Sequence, residues 1–382
     1  MVKMGKIVYL GHFADGKNKR VVFTPAQTVI RYMRRGLNEA GYSFTMVSLA
    51  QASRNIPRVE EIYDDKTKLI FARCFKVYEK NILMRAVNKF RRGRSFQKEL
   101  ESIIEDGDTL ISYHSLSTMN LITKLRKKKK FKFILQVCEI YADVTENQKL
   151  KAKEIEFIKS ADKYILISDM LKKEIGLENK ECIVCSGAYE VKEVINEPPK
   201  DGKIHVVYAG TMDEKKGGAY YAASAAEYLN ENYHIHILGT TIESQREKLQ
   251  SIIDEVKTKS KCEVSYEGYM GGEKYTKFLQ SCHIGLSTQS PEGAYNATSF
   301  PSKIPVYMSN GLQVVSVRIP VVENSPIGKS IHFYDNQDAK SIADAILSVK
   351  VDEENNGREI VKKLNSEFVQ GLKKLIENKK EV

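Results

Sequence analysis

The sequence predicts an α/β protein built from two Rossmann-like, doubly wound domains that face a central cleft. The chain has 382 residues, more than one ordinary hydrophobic core accommodates. Short apolar runs alternate with amphipathic stretches from end to end, a pattern typical of parallel βαβ units. Both halves also begin alike: Gly11 follows an apolar run at residues 7–10, and Gly210 follows one at 205–209. Ligands of such sheets bind at the carboxyl ends of the strands.

The individual elements follow from this alternation. Strands are predicted at residues 6–10, 44–49, 108–113, 132–137, 163–167 and 182–185 in the first half, and at 205–209, 234–238, 263–267, 283–287, 313–317 and 331–334 in the second. Helices are predicted at residues 25–40, 82–105, 115–129, 147–160 and 169–176, and at 217–232, 243–258, 272–281, 299–309 and 338–349.

A proline-containing, charged segment at residues 191–200 is the best domain boundary in the chain. We therefore predict an N-terminal domain at residues 1–192, a C-terminal domain at 203–350 and a tail at 351–382. The tail carries apolar residues at helical spacing, namely Ile360, Val361, Leu364, Phe368, Leu372 and Ile376. This spacing predicts a helix that packs back toward the N-terminal domain.

The composition is that of a globular protein, with 42% hydrophobic and 29% charged residues. No stretch approaches the ~20 consecutive apolar residues that a membrane-spanning helix needs. The N-terminus runs directly into the first predicted strand, which leaves no room for a signal peptide and favours a cytoplasmic location.

The net charge of +11 is concentrated in the first half. Residues 1–200 contain 38 Lys and Arg against 25 Asp and Glu, a charge of +13, whereas residues 201–382 carry −2. Much of the excess lies at 85–94 and 124–130. One interpretation is peripheral contact with an anionic membrane on its inner face; an equally supported one is a solvated helix end. Only Phe131 and Phe133 accompany the second cluster, so nucleic acid is not an expected partner.

The cysteines do not predict a metal site. Cys182 and Cys185 form a C-x-x-C, but the residues between them read as a strand, which does not present two thiolates to one metal. No second C-x-x-C or histidine pair completes a site, so the thiols are interpreted as core residues in a reducing compartment.

Two loops of the second half carry candidate binding residues. The first runs from Gly210 and Thr211 to Lys216 and Gly217, where a glycine, a lysine and a helix start are suited to a phosphate. It is neither G-x-G-x-x-G nor a P-loop, and lysines in such loops are also common surface residues.

The second loop, at residues 287–303, combines a carboxylate (Glu292), a glycine (Gly293) that leaves backbone N–H groups accessible, several hydroxyls and Lys303. A carboxylate suits sugar hydroxyls, and a helix start suits a diphosphate. Ser299 is predicted to be the N-cap of the helix at 299–309. The alternative is a surface loop with an ordinary helix cap.

Taken in order, these loops resemble the donor-binding elements of retaining GT-B glycosyltransferases of family four, the bacterial glycosyl transferases group 1. The family shows G-x-x-x-x-x-K-G, then a Glu-Gly loop that leads to S-x-P-S-K-x-x-x-Y-x-x-x-G. Here the last motif runs from Ser299 to Gly311. Residues 186–189 and 139–143 also resemble family motifs, and the likeness spans roughly residues 130–320.

The resemblance implies a GT-B fold with the acceptor on the N-terminal domain and the donor on the C-terminal one. Lys216 and Lys303 would then meet the donor diphosphate, and Glu292 the hydroxyls of the transferred sugar. The other donor-binding residues would be Gly210, Thr211, Gly293, Ala294 and Ser299. Glu139 and Tyr141 would lie on the acceptor side.

The implied activity is metal-independent, retaining transfer of a hexose-type sugar from a nucleotide-diphosphate donor, with no cofactor. The implied acceptor is a glycan or a lipid-linked molecule in cell-surface polysaccharide or glycoconjugate synthesis. Two departures from the family pattern support an alternative, a non-catalytic GT-B subunit that binds a partner or a glycan. Thr211 stands where the family usually has Arg, and Val306 where it usually has a second Glu.

Overall fold

The computed structural model describes residues 5–14, 19–21, 24–77, 80–144, 147–212, 217–292, 296, 298–353 and 355–377. The chain forms two compact units. The first comprises Met1–Cys185 together with Ser366–Val382, and the second comprises Ser186–Asn365. No helix among the described residues is both long and apolar enough to cross a membrane.

The first unit is built on an eight-stranded sheet in the order β3-β4-β2-β1-β5-β6-β7-β8. Its strands are β1 Ile7–Gly11, β2 Phe44–Ser48, β3 Val59–Asp64, β4 Thr67–Phe71, β5 Thr109–Tyr113, β6 Lys132–Val137, β7 Lys163–Leu166 and β8 Cys182–Val184. Its helices are α1 Thr24–Glu39, α2 Ile82–Ile103, α3 Leu116–Arg126, α4 Tyr141–Val144, α5 Gln148–Lys159 and α6 Asp169–Ile175. Among the described strands of this sheet, only β3 runs antiparallel to its neighbour. Because β1 pairs with both β2 and β5, the strand order reverses at the carboxyl ends of β1 and β5, where such folds bind ligands.

The second unit has a six-stranded parallel sheet in the order β11-β10-β9-β12-β13-β14. Its strands are β9 Ile204–Ala209, β10 Tyr233–Leu238, β11 Glu263–Gly268, β12 Ile284–Ser287, β13 Gln313–Val317 and β14 Ile331–Tyr334. Its helices are α7 Gly218–Ser224, α8 Glu243–Lys259, α9 Gly272–Gln280, α10 Lys303–Ser309, α11 Pro320–Glu323 and α12 Ala339–Leu347, and α13 Gly357–Glu377 continues into the first unit. The order of this sheet reverses between β9 and β12.

Every predicted strand is present, because buried parallel strands read as apolar runs. The hairpin of β3 and β4 was not predicted, since β3 is a mostly exposed edge strand rich in carboxylates. The prediction that a helix begins at Ser299 is wrong: α10 begins at Lys303, and its N-cap is Ser302. The reason is Pro301, which disfavours helical backbone at the residue before it. The helix predicted at 217–232 ends at Ser224 and continues only as a short 3₁₀ turn.

Within the first unit, the end of α13 is held by aromatic packing and by two lysines. Phe368 stacks on Tyr32 with ring centroids 5.1 Å apart. A Cβ at Gly36 would lie 2.8 Å from the Phe368 ring, so α1 needs glycine there. Lys163 Nζ donates to the carbonyl of Leu375 at 2.8 Å, and Lys132 Nζ donates to that of Ile376 at 2.6 Å. These cations satisfy carbonyls that a helix C-terminus leaves unpaired.

The packing of Phe368 yields a stability prediction. Phe368→Ala should lower the free energy of unfolding of the first unit by roughly 3–5 kcal/mol, because it removes a buried ring and leaves a cavity against Tyr32. Urea denaturation followed by circular dichroism measures the change. The matched control is Lys373→Ala, an exposed position on the same helix. Equal midpoints for the two variants would contradict the assignment of this helix end to the core.

Candidate functional site

In the second unit, the candidate site lies where the strand order reverses, at the carboxyl ends of β9 and β12. The loop after β9 begins with Gly210, and the loop after β12 begins with Thr288, which is fully buried. Thr288 Oγ1 donates to the carbonyl of Gly218 at 2.7 Å. This hydrogen bond ties the second loop to the first turn of α7.

Lys303 lies directly against the end of β9. Its Nζ is 5.0 Å from the centroid of the Tyr208 ring. A Cβ at position 210 would lie 2.8 Å from Lys303 Cε and 3.0 Å from Nζ, so the glycine leaves the space that the lysine occupies. The structure therefore brings together two residues, Gly210 and Lys303, that are far apart in the sequence.

The placement of Lys303 depends on Tyr307, one helical turn further along α10. The Tyr307 ring is fully buried, and its hydroxyl oxygen accepts the N–H of Ala209 at 2.8 Å. The ring fits because position 285 is glycine: a Cβ there would lie 2.3 Å from the Tyr307 ring. Residues i and i+4 lie on the same face of a helix, so anchoring Tyr307 to β9 also turns Lys303 toward β9.

Burial lowers the pKa of Lys303 to about 8. Among the described residues no carboxylate is close enough to offset this effect. A desolvated ammonium without a counter-ion is unfavourable, and an anion placed next to it restores the charged form. Lys303 is therefore a candidate anion-binding group.

The loop after β12 is organised by a buried asparagine. Asn296 Oδ1 accepts from Gln289 Nε2 at 2.6 Å, and Asn296 Nδ2 donates to the carbonyl of Ser290 at 2.6 Å. The Oγ atoms of Ser287 and Ser299 are buried and have no hydrogen-bond partner within the part of the chain that is described. Unpaired buried hydroxyls beside a loop are suited to bind a polar ligand.

The other predicted donor-side residues are distributed as follows. Lys216, Gly293 and Ala294 lie outside the described residues. Thr211 is exposed, and its carbonyl accepts the Tyr208 hydroxyl at 3.5 Å. Glu292 lies in an exposed turn, and the described contacts do not join its carboxylate to Lys303 or Gly210.

In the first unit, the predicted acceptor-side residues follow β6. Glu139 is half-buried, and Tyr141 begins α4. The backbone N–H groups of Tyr141 and Ala142 donate to the two carboxylate oxygens of Glu154, each at 2.9 Å. A buried carboxylate on α5 thus fixes the start of α4.

Glu154 also forms a hydrogen bond with His114, a residue that was not predicted from the sequence to belong to a site. His114, which follows β5, places its Nε2 2.7 Å from Glu154 Oε1, and both side chains are buried. His12 follows β1, and its Nε2 lies 3.0 Å from Ser117 Oγ. Burial lowers the pKa of His12 to about 4, so this ring is neutral at physiological pH. A histidine placed just after an apolar run was the available sequence signal in both cases.

Comparison with known proteins shows a likeness in structure and none in sequence. No protein-family model and no curated protein sequence matches the chain. Sucrose-phosphate synthase from Thermosynechococcus elongatus is similar with a TM-score of 0.73 and 13% identity, covering 98% of each chain. A structure from E. coli described as trehalose-6-phosphate bound with UDP-2-fluoro glucose has a TM-score of 0.72 and 11% identity, covering 99% of each chain.

A third similar structure is α,α-trehalose-phosphate synthase (UDP-forming) from Burkholderia xenovorans in complex with glucose-6-phosphate. Its TM-score is 0.70 at 9% identity, with 98% of each chain covered. Identities this low establish the fold alone. The predicted fold class, GT-B with two Rossmann-like domains, is confirmed.

The environment of Lys303 yields a prediction that needs no ligand. Competitive labelling with acetic anhydride across a pH series, read by peptide mass spectrometry, should give half-maximal reactivity of Lys303 near its pKa of about 8. An unperturbed lysine reacts half-maximally near roughly pH 10.4, because only the neutral amine is a nucleophile. Lysines on the surface of the same protein serve as the internal comparison. A midpoint for Lys303 as high as theirs would show that its ammonium is not desolvated.

Proposed function

We propose that the chain is a retaining glycosyltransferase that moves a hexose-type sugar from a nucleotide-diphosphate donor to an acceptor. The observation that carries this proposal is Lys303, a desolvated cation beside Gly210 at the strand-order reversal of the second unit. The fold and the motif order of the two loops support it. Two of the similar structures involve uridine diphosphate chemistry, one as a complex with a UDP-sugar and one as a UDP-forming synthase.

In the proposed mechanism, the departing diphosphate is stabilised mainly by electrostatics. Lys303 and Lys216 meet its oxygens, and the backbone at Gly293 and Ala294 with the hydroxyl of Ser299 completes the phosphate site. Charge-assisted hydrogen bonds of this kind each contribute roughly 1.5–3 kcal/mol. They favour the transition state because negative charge on the diphosphate grows as the glycosidic bond breaks.

The transferred sugar would be held by Glu292, whose carboxylate accepts hydrogen bonds from sugar hydroxyls. The acceptor hydroxyl then attacks on the face that the diphosphate leaves, and the diphosphate accepts its proton. The anomeric configuration is retained. In this scheme the cations at the leaving group are lysines, and no step uses a metal ion. Glu139 and Tyr141 are proposed to serve the acceptor side.

The second candidate is a non-catalytic GT-B subunit that binds a partner or a glycan. The observation that favours it is the pair of departures at Thr211 and Val306, which remove the usual arginine and second glutamate. A subunit of this kind would bind without releasing nucleoside diphosphate. Turnover therefore separates the two candidates.

The catalytic proposal is tested by nucleoside-diphosphate release from a panel of nucleotide sugars, with and without acceptor. Glu292→Ala should lower turnover by about two orders of magnitude, because the charged hydrogen bonds to hydroxyls of the transferred sugar are lost while the fold is kept. The matched control is Glu247→Ala, an exposed glutamate on α8. Activity of Glu292→Ala close to that of the control would remove Glu292 from the mechanism, and no release from any donor would favour the non-catalytic subunit.

For the acceptor we propose a lipid-linked molecule presented at an anionic membrane, as in cell-surface polysaccharide or glycoconjugate synthesis. The supporting observation is the first turns of α2, which expose large apolar side chains. Ile82 is 71% exposed, Leu83 76% and Phe90 68%. Apolar side chains of this size flanked by cations are typical of a helix that lies in a membrane interface.

The cations around this surface favour the same interpretation. Among the described residues, Arg85, Lys89 and Arg91 have no ion-pair partner. A groove of about 850 Å³ beside them is lined by the apolar side chains Phe75, Ala86, Val87 and Phe90, the polar Ser95, and the cations Arg73, Arg91, Arg94 and Lys98. Such a groove suits an anionic headgroup with an apolar chain.

The second basic cluster has a structural role instead. Lys129 Nζ donates to the carbonyls of Glu101 and Ile104 at the C-terminal end of α2, and Lys128 pairs with Glu101 at 2.7 Å. Phe96, Phe131 and Phe133, which neighbour the basic clusters in the sequence, are buried in the core, whereas Phe90 is exposed.

Vesicle flotation tests the membrane proposal. The protein should float with anionic vesicles at low salt and be released at high salt, since each basic residue contributes on the order of 1 kcal/mol within a Debye length of roughly 10 Å. Arg85→Glu with Arg91→Glu should abolish binding. The control pair Lys149→Glu with Lys153→Glu, on exposed positions of α5, has the same net charge and should keep it.

Failure to bind anionic vesicles at low salt, or equal binding to neutral ones, would contradict the surface proposal. A soluble sugar phosphate would then be the better acceptor, because glucose-6-phosphate is the ligand named for the similar Burkholderia xenovorans synthase.

A further inference from the structure

The sheet of the second unit carries an unusual polar cluster. Of the seven histidines in the chain, four lie together there: His205, His234, His236 and His283. His205 on β9 is in register with His234 on β10, and His236 follows two residues later on the same face. The faces of parallel sheets in α/β folds are normally apolar, so this cluster needs an explanation.

Next to the histidines, β11 supplies polar partners. Glu263 is in register with His234, and Ser265 with His236. His234 Nε2 lies 2.8 Å from Ser265 Oγ, and His236 Nδ1 lies 2.9 Å from Glu267 Oε1.

The central contact is between two imidazole rings. His205 Nδ1 lies 2.9 Å from His236 Nε2. The outer nitrogen of each ring faces a carboxylate: His205 Nε2 is 3.1 Å from Asp201 Oδ2, and His236 Nδ1 faces Glu267. The order of groups is therefore carboxylate, imidazole, imidazole, carboxylate.

Two neutral imidazole rings cannot satisfy all the hydrogen bonds in this row of four groups. Each carboxylate accepts hydrogen bonds, so each ring should direct its N–H outward. A neutral imidazole has one N–H, and the two inner nitrogens are then both lone pairs that face each other at 2.9 Å. A cation between or beside them removes this conflict.

We propose that His205, His234 and His236 bind a divalent transition-metal ion, with Zn²⁺ as the best fit. One nitrogen from each ring lies within 4.8 Å of the others. Two imidazole ligands of a tetrahedral zinc lie about 3.3 Å apart, given Zn–N distances of about 2.0–2.1 Å, so the inner nitrogens need to separate by only a few tenths of an ångström.

The surroundings of the three rings match those of metal-ligating histidines. Such histidines usually donate their second N–H to a carboxylate, as His205 does to Asp201 and His236 to Glu267. His234 serves as the third ligand by giving up its bond to Ser265 Oγ. Glu263, which also pairs with Lys203, places its Oε2 3.4 Å from His234 Nδ1.

The cluster is also partly enclosed. The side chains of His205 and His236 are buried, and Phe278 on α9 covers one side, its ring meeting His236 edge-on at 5.3 Å. A partly enclosed space lined by several imidazole nitrogens is suited to hold a cation.

The position in the sheet assigns the ion a structural role. His205 is the second residue of β9, and Gly210 follows its carboxyl end, so the two are separated by roughly 16 Å of extended strand at about 3.3 Å per residue. The ion would link β9 to β10 far from the candidate site, and its binding does not depend on the proposed function.

The test begins with full-length protein treated with a chelator and then titrated with Zn²⁺ against a chromophoric competitor. One equivalent should bind and raise the unfolding temperature, since a ligand that prefers the folded state stabilises it. His205→Gln and His236→Gln should each weaken the affinity at least roughly a hundredfold, because each removes a ligand. His332→Gln is the control, a half-buried histidine of the same unit outside the cluster.

Cobalt substitution separates this site from adventitious binding by the cysteines, since Co²⁺ spectra distinguish imidazole from thiolate ligands. A nitrogen-ligated Co²⁺ spectrum that is lost in His236→Gln supports the proposal even if that variant is less stable, provided circular dichroism shows that it is folded. Absence of saturable Zn²⁺ binding, a thiolate spectrum, or equal affinity in the control and the cluster variants would overturn it.

Discussion

The geometry of the candidate site depends on one buried hydroxyl, that of Tyr307. A buried tyrosine oxygen needs a hydrogen-bond partner, and it finds the N–H of Ala209, the last residue of β9. Gly285 on β12 makes the space for the ring. The tyrosine therefore joins α10 to β9 and β12, the two strands between which the strand order reverses. This contact fixes the position of the preceding turn of α10.

Lys303 is placed in this way, and its position has an energetic cost. Removing an ammonium group from water without a counter-ion is unfavourable, and the lowered pKa of Lys303 expresses this. An anion bound at the same point would recover the cost. Anion binding at such a site is favourable because the ammonium is poorly solvated when no anion is bound. A buried charged group without a partner at a strand-order reversal therefore indicates a binding site.

Much of the fold was predictable because its information is local, whereas the site was predictable only in part. Apolar runs identified the strands of both sheets except β3 and β4, and Gly210 and Lys303 were both predicted as candidate site residues. The start of α10 was misplaced because the effect of Pro301 outweighs the capping preference of Ser299. His114 and Glu154 are 40 residues apart, and only the order of β5, β6 and α5 brings them together.

The histidine cluster shows the same limit more clearly. His234 and His236 form an H-x-H pattern that a strand presents on one face, but a pair of histidines alone predicts little. The third ring, His205, comes from another strand, and its partnership is set by the parallel register of β9 with β10. Sheet register is a tertiary property, so the local pattern did not contain it.

The two polar features of the second unit lie toward opposite ends of one strand, and their coupling is limited by distance. A divalent ion near His205 and an ammonium at Lys303 would be separated by roughly 16 Å of β9. For an effective dielectric constant between that of water and that of a protein surface, the repulsion between these two cations is on the order of 1 kcal/mol. Salt screens this repulsion further. The field of a bound metal would therefore change the pKa of Lys303 only slightly. If a metal affects the candidate site, the larger effect must be mechanical, because the ion links β9 to β10 and β9 carries both Gly210 and the N–H group that holds Tyr307.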